Sequence, residues 1–170
     1  MIQYILIVNH RPFLSGRKVT MKKIVLLIAT ILVTTQCALA SKAPSVDRLI
    51  AALIEVESHG NDHSVGDRHM QDKAYGCLQI RKPCVDDANQ RLGTKHRPED
   101  MLGNRSLSVL VCRTYLSRYA TRKALGREPS LEDMARIWNG GPTGWSKQST
   151  LGYWSKVQKV LQKQDLLASK

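Results

Sequence analysis

From residue 45 onward, short apolar clusters recur every three to four positions and are separated by polar, glycine- or proline-marked breaks. This is the pattern of amphipathic helices joined by tight turns. Ser45 stands as a helix N-cap, with Val46, Leu49, Ile50, Leu53 and Ile54 behind it on one stripe, and Gly60-Asn61 ends that helix. Residues 60–80 contain Gly66, Gly76 and many polar side chains, and predict a loop or small hairpin. Pro83 fits the first turn of a second helix that stops near Gly93. A long helix is expected from about 104 to 125, with Leu107, Leu110, Val111, Tyr115 and Leu116 on its apolar side and Gly126 at its end. Ser130 and Asp133 form a capping-box pair that opens a short helix through Trp138, which Gly140-Gly141-Pro142 terminates. A last helix carries Leu151, Trp154, Val157, Val160 and Leu161. The sum is a mostly α single domain with a minor irregular or β-hairpin element and no internal repeat.

The first 40 residues have a different character, with no Asp or Glu. Met21-Lys22-Lys23 precedes an apolar run over 24–33, and Ala38-Leu39-Ala40 follows. A basic start, a short apolar run and an A-x-A end are the anatomy of a secretory signal peptide. The expected organisation is therefore an N-terminal extension and signal over 1–40, with Met21 as the start and cleavage after Ala40, and a folded domain over 41–170. The apolar run falls short of the roughly 20 residues that span a bilayer, so no stable membrane insertion is expected after cleavage. The product would be secreted or periplasmic.

Residues 41–170 keep 21 of the 26 basic side chains and all 14 acidic ones, a net charge of +7. Such a charge suits nucleic acid, anionic lipid or an acidic polymer, and export removes nucleic acid from that set. Cys77, Cys84 and Cys112 remain, enough for one disulfide and one free thiol, with Cys84–Cys112 the preferred pair because Cys77 sits inside an apolar motif. There is no P-loop, dinucleotide fingerprint or paired C-x-x-C, so no cofactor is expected. His59, His63 and His69 cluster in sequence at a spacing that matches no standard zinc pattern, and they are read as loop histidines rather than a metal site.

Glu57 is the informative residue. It follows Ile50 and Leu53 on the apolar face of the first helix, at that helix's C-terminal end. Lost solvation and the negative end of the helix dipole both disfavour its charged form, which raises its pKa. A carboxylic acid kept protonated near neutral pH can donate its proton to a leaving oxygen.

Three segments extend this. Glu57-Ser58-His59-Gly60, Tyr75-Gly76-Cys77-Leu78-Gln79-Ile80 and Ile137-Trp138-Asn139-Gly140-Gly141 occur in this order. They resemble the E-S-x-G, G-L-M-Q-I and A-Y-N-G-G signatures of soluble lytic transglycosylases and goose-type lysozymes, over roughly residues 44–161. The resemblance implies a lysozyme-like fold with Glu57 as the catalytic acid. It also implies Ser58, Tyr75, Gln79, Trp138 and Asn139 as substrate-binding positions, and a monomer acting on peptidoglycan glycan strands. Trp138 replaces the tyrosine of the third signature, and Cys77-Leu78 replaces Leu-Met in the second.

The reaction class turns on a second carboxylate. Val65-Gly66-Asp67-Arg68 resembles the G-D-R of goose-type lysozymes, so Asp67 and Asp72 are the candidate partners that position a water, with Asp67 the first choice. Where those enzymes carry another aspartate, after the second motif, this chain has Arg81. The leading expectation is a lytic transglycosylase, cleaving between N-acetylmuramic acid and N-acetylglucosamine with Glu57 alone and leaving 1,6-anhydro ends. The alternatives are a hydrolytic goose-type lysozyme that uses Asp67, or a non-catalytic peptidoglycan- or chitin-binding protein.

Overall fold

A computed structural model describes residues 45–169 of the protein. The expected extension, signal peptide and cleavage point lie outside the described residues. Among the described residues, α1 (Val46–Ser58), β1 (Val65–Gly66), β2 (Ala74–Tyr75), α2 (Lys82–Leu92), α3 (Arg105–Tyr119), α4 (Arg122–Leu125) and α5 (Leu131–Gly140) precede the closing helix α6 (Leu151–Ala168). Three short 3-10 turns, Pro98–Met101, Gly144–Ser146 and Gln148–Thr150, complete the connections. The domain is mostly helical with one small antiparallel hairpin, in which Val65 faces Tyr75 and Gly66 faces Ala74.

Helix α1 is the centre of the core. Ser45 accepts a hydrogen bond from the Arg48 amide at 3.3 Å, and Leu49, Ile50, Ala52, Leu53 and Ile54 are buried. These residues pack with Leu78, Met101, Val111, Ile137 and Val157 from the hairpin turn, the 3-10 turn at 98–101, α3, α5 and α6. The helix closes in a left-handed turn that begins one residue earlier than expected. His59 (φ 51°) and Gly60 (φ 79°) are both left-handed, and their amides return to the Glu55 and Ile54 carbonyls.

The expected long helix is two helices. α3 stops at Tyr119, and the Thr121 hydroxyl accepts from the Ala124 amide at 3.2 Å, capping α4 as a new start. Its buried side also differs from the apolar stripe: Leu110 is 44% exposed while Ser108 and Thr114 are buried. Their hydroxyls donate back to the Asn104 and Leu110 carbonyls at 3.0 and 2.8 Å, which removes the cost of burying them.

The preferred Cys84–Cys112 disulfide is not formed, and the three cysteines among the described residues are free thiols. Cys77 and Cys112 are fully buried, and Cys77 is engaged with the Asp62 carboxylate and the Ser108 hydroxyl. Burial pushes the Cys84 thiol up to about 12, well out of the reactive range. No helix among the described residues is long and apolar enough to cross a membrane.

Candidate active site

One cleft of about 1080 Å³ runs past the end of α1, the hairpin, the start of α2 and the end of α5. It brings together Glu57, Asp67, Gln79, Trp138 and Asn139 from the expected set. Ser58 and Tyr75 lie outside its lining. The Ser58 hydroxyl donates to the Cys77 carbonyl at 2.8 Å and so ties the last turn of α1 to the hairpin turn. Tyr75 pairs with both Val65 and Ile80 in the hairpin, and its phenol reaches Glu99 on the first 3-10 turn.

Glu57 projects from the last turn of α1 into this cleft. The Tyr153 hydroxyl donates to its Oε1 at 2.7 Å, and the Trp138 indole N–H is a second donor. Desolvation by burial raises the Glu57 pKa. The two donors and the charges of Lys156 and Arg81 pull it down without cancelling that rise. Tyr153 is itself pushed far above the ordinary phenol range by burial and by the carboxylate beside it, so it remains a donor at any working pH. Trp138 is held edge-on against Tyr115, with centroids 5.9 Å apart and planes at 86°.

Asp67 follows β1 with a left-handed backbone (φ 47°), and its carboxylate pairs with the Arg81 guanidinium. Gln79 is left-handed as well (φ 50°), and its amide donates to the Gly76 and Ser64 carbonyls at 2.8 and 3.3 Å. Two glycines make this turn possible. A Cβ on Gly66 would collide with the Gln79 amide, and one on Gly76 (φ 74°) would sit 2.6 Å from the Met101 carbonyl oxygen. The far arm of the cleft is formed by Asp86, Asp87, Gln90, Tyr115 and Tyr119 on α2 and α3.

The residue that sequence reasoning missed is Tyr153. The sequence stripe of the last helix runs through Leu151 and Trp154, yet Tyr153 lies at i−4 and i−8 from Val157 and Leu161, both buried. A phenol on that buried stripe was the available signal. The three loop histidines do not converge: His59 lies near Glu55 at 3.4 Å, and His63 packs over Gly103. Among the described residues, no group of three or more His, Cys, Asp or Glu side chains could hold a metal ion.

No family model matches the chain. It is 31% identical over 136 residues to the lysozyme of Ostrea edulis, an alignment covering 79% of this chain and 92% of that protein. It is 35% identical over 97 residues to invertebrate-type lysozyme 2 of Caenorhabditis elegans, covering 52% and 69%. The chain belongs to the invertebrate-type lysozymes. Other members align over less: invertebrate-type lysozyme 3 of the same animal is 32% identical across 49% of this chain, and the match spans 63% of its own length, under two thirds. The crystal structure of Aeromonas hydrophila PliI in complex with Meretrix lusoria lysozyme superposes with a TM-score of 0.58 at 26% identity, covering 70% of this chain and 93% of that one.

Membership of the invertebrate-type family corrects the resemblance drawn from the three short motifs. The fold is lysozyme-like, as they implied, but the family is neither the soluble lytic transglycosylases nor the goose-type lysozymes. The motifs mark a helix ending in an acid, a glycine turn bearing a glutamine and a helix ending in Asn-Gly-Gly, and these shapes do not separate one lysozyme-like family from another.

Proposed function

We propose that this chain is a glycosidase that hydrolyses the glycan strands of peptidoglycan, with Glu57 as general acid and Asp67 as the second carboxylate. The observation that carries this reading is a pair of carboxyl groups in contrasting environments on one cleft. Glu57 is desolvated and held by two neutral donors, whereas Asp67 is half-exposed and paired with a guanidinium. Environments that separate two acids in this way assign one as proton donor and the other as carboxylate. Glu57 protonates the glycosidic oxygen, and Tyr153 and Trp138 stabilise the anion it leaves. Asp67 supports the anomeric centre, either by direct attack or by activating a water. Gln79, Trp138 and Asn139 orient the sugars on either side.

The invertebrate-type lysozyme relatives support hydrolysis over the transglycosylase chemistry expected first, as does the presence of the second carboxylate on the cleft. Export through the signal-like segment over residues 21–40 is part of the same proposal, since the substrate lies outside the membrane. The test is mass spectrometry of fragments released from purified peptidoglycan by the protein and by Glu57→Gln. Reducing-end fragments from the wild type alone are expected. Fragments lighter by one water, with 1,6-anhydro ends, would return the reaction to transglycosylation. Binding to sacculi without any release would leave only the non-catalytic alternative.

A further inference from the structure

Arg81 stands after the second motif, where goose-type lysozymes carry an aspartate, and takes no direct part in the bond cleavage described above. It is the N-cap residue of α2, yet its side chain makes no cap bond. Instead it reaches back under the hairpin: Nη1 donates to the Asp72 carbonyl at 2.6 Å, and Nη2 pairs with Asp67 Oδ2. Both acceptors belong to the loop between β1 and β2. The other bonds of that loop are local (Met70 amide to Asp67 carbonyl, Arg68 Nε to Val65 carbonyl) or to the next residue along, from the Lys82 amide to Asp72 Oδ1. The same guanidinium lines the cleft that Glu57 enters.

We propose that Arg81 is a positioning residue for both carboxylates of the cleft: its planar fork fixes Asp67, and its charge faces Glu57. The inference rests on the hydrolytic reading above. The fork geometry matters because a guanidinium can hold a carbonyl and a carboxylate at once in fixed directions, which an ammonium cannot do. Asp67 needs such a hold, since its backbone is left-handed and its side chain is half-exposed. The groups facing Glu57 are Tyr153 and Lys156 from α6, Trp138 from α5, the neutral thiol of Cys112 from α3, and Arg81 from the head of α2. Arg81 is thus one of two cations that oppose the effect of burial on Glu57.

The two roles separate in two variants. Arg81→Gln removes fork and charge, and Arg81→Lys keeps the charge alone. Two readouts are needed: kcat and KM against pH on soluble peptidoglycan fragments, and an NMR titration of the Glu57 carboxyl, assigned by its loss in Glu57→Gln. In Arg81→Gln the Glu57 midpoint and the alkaline limb of the rate are expected to move together to higher pH, because a charge that favours the carboxylate is gone. Its kcat is expected to fall on the order of 10²-fold, the effect of a small misplacement of a reacting group, with KM little changed. Arg81→Lys is expected to keep the wild-type midpoint and still lose kcat. Asp67→Asn combined with Arg81→Gln is expected to have a maximal kcat no lower than Asp67→Asn alone, since the fork acts through Asp67 and the charge on Glu57 moves only the pH dependence. An unmoved midpoint in Arg81→Gln, or losses that add in full in the double variant, would overturn the proposal while leaving hydrolysis intact. A wild type that releases no fragments would overturn hydrolysis, and the carboxyl titration would still decide whether Arg81 acts on Glu57.

Discussion

Burial pushes the Glu57 pKa up while two neutral hydrogen-bond donors pull it back, and that opposition governs what substitution at residue 57 does. Glu57→Gln keeps the shape and the contact with Tyr153 but removes the proton, so cleavage is expected to fall by about 10²–10⁴-fold, the usual contribution of a general acid. The same variant should be more stable than the wild type near neutral pH. The folded pKa of Glu57 lies above its unfolded value, so folding favours the protonated form. The stabilisation from that proton is complete below the unfolded value of 4.5 and is lost as pH rises through the raised folded value. Thermal unfolding of both proteins across that window should show a Tm gap that opens in favour of Glu57→Gln on the alkaline side. A constant gap would mean that Glu57 titrates normally. Tyr153→Phe deletes a donor to the carboxylate, so the alkaline limb of its rate profile should shift upward relative to wild type. An unshifted limb would mean that the hydroxyl contributes packing alone.

At the scale of elements, much was legible because helices announce their ends. Ser45, Ser130 with Asp133, Gly93 and Gly126 all cap where the sequence places them. The break between α3 and α4 was not legible, because Leu125 continues the apolar spacing across it and only the Thr121 cap betrays it. The hairpin was foreseen only as an irregular stretch. Its two-residue strands are too short to show alternation, and what shapes them is a set of side chain–backbone bonds from Ser58, Gln79 and Arg81. Of the motif residues, Glu57, Gln79 and Asn139 line the cleft, whereas the Ser58 hydroxyl goes to the Cys77 carbonyl and the Tyr75 phenol to Glu99, partners that short motifs do not reveal. Gly76 tests this account. Alanine there meets both a left-handed φ and the Met101 carbonyl, so Gly76→Ala should destabilise the fold by about 1–3 kcal/mol in denaturant unfolding. A change under about 0.5 kcal/mol would show that the turn relaxes freely.

The whole molecule combines a cationic body with an acid-lined cleft, and the two are suited to different tasks. The cleft presents Glu57, Asp67, Asp86 and Asp87 against the single lining cation Arg81. The excess positive charge lies elsewhere, including Lys159 and Lys163, exposed along α6, where the one acid, Asp165, is turned to Arg48. Charge on the body can gather an acidic polymer without contributing to bond cleavage, so adsorption and catalysis should respond differently to salt. At about 0.1 M ionic strength the screening length is roughly 10 Å, and at 1 M it is roughly 3 Å, so attraction between exposed charges fades as salt rises. Glu57→Gln makes the separation measurable because it should bind sacculi without cutting them. It is expected to co-sediment with sacculi at low salt and to be released as salt rises. Adding Lys159→Gln and Lys163→Gln should lower the salt at which release occurs, while the same two changes in the wild-type background should raise KM and leave kcat on short soluble fragments unchanged. If the lysine changes lowered kcat on short fragments instead, the stripe would belong to the reaction and the body and cleft would not be separable; if they left release unaltered, the charge on α6 would serve solubility alone.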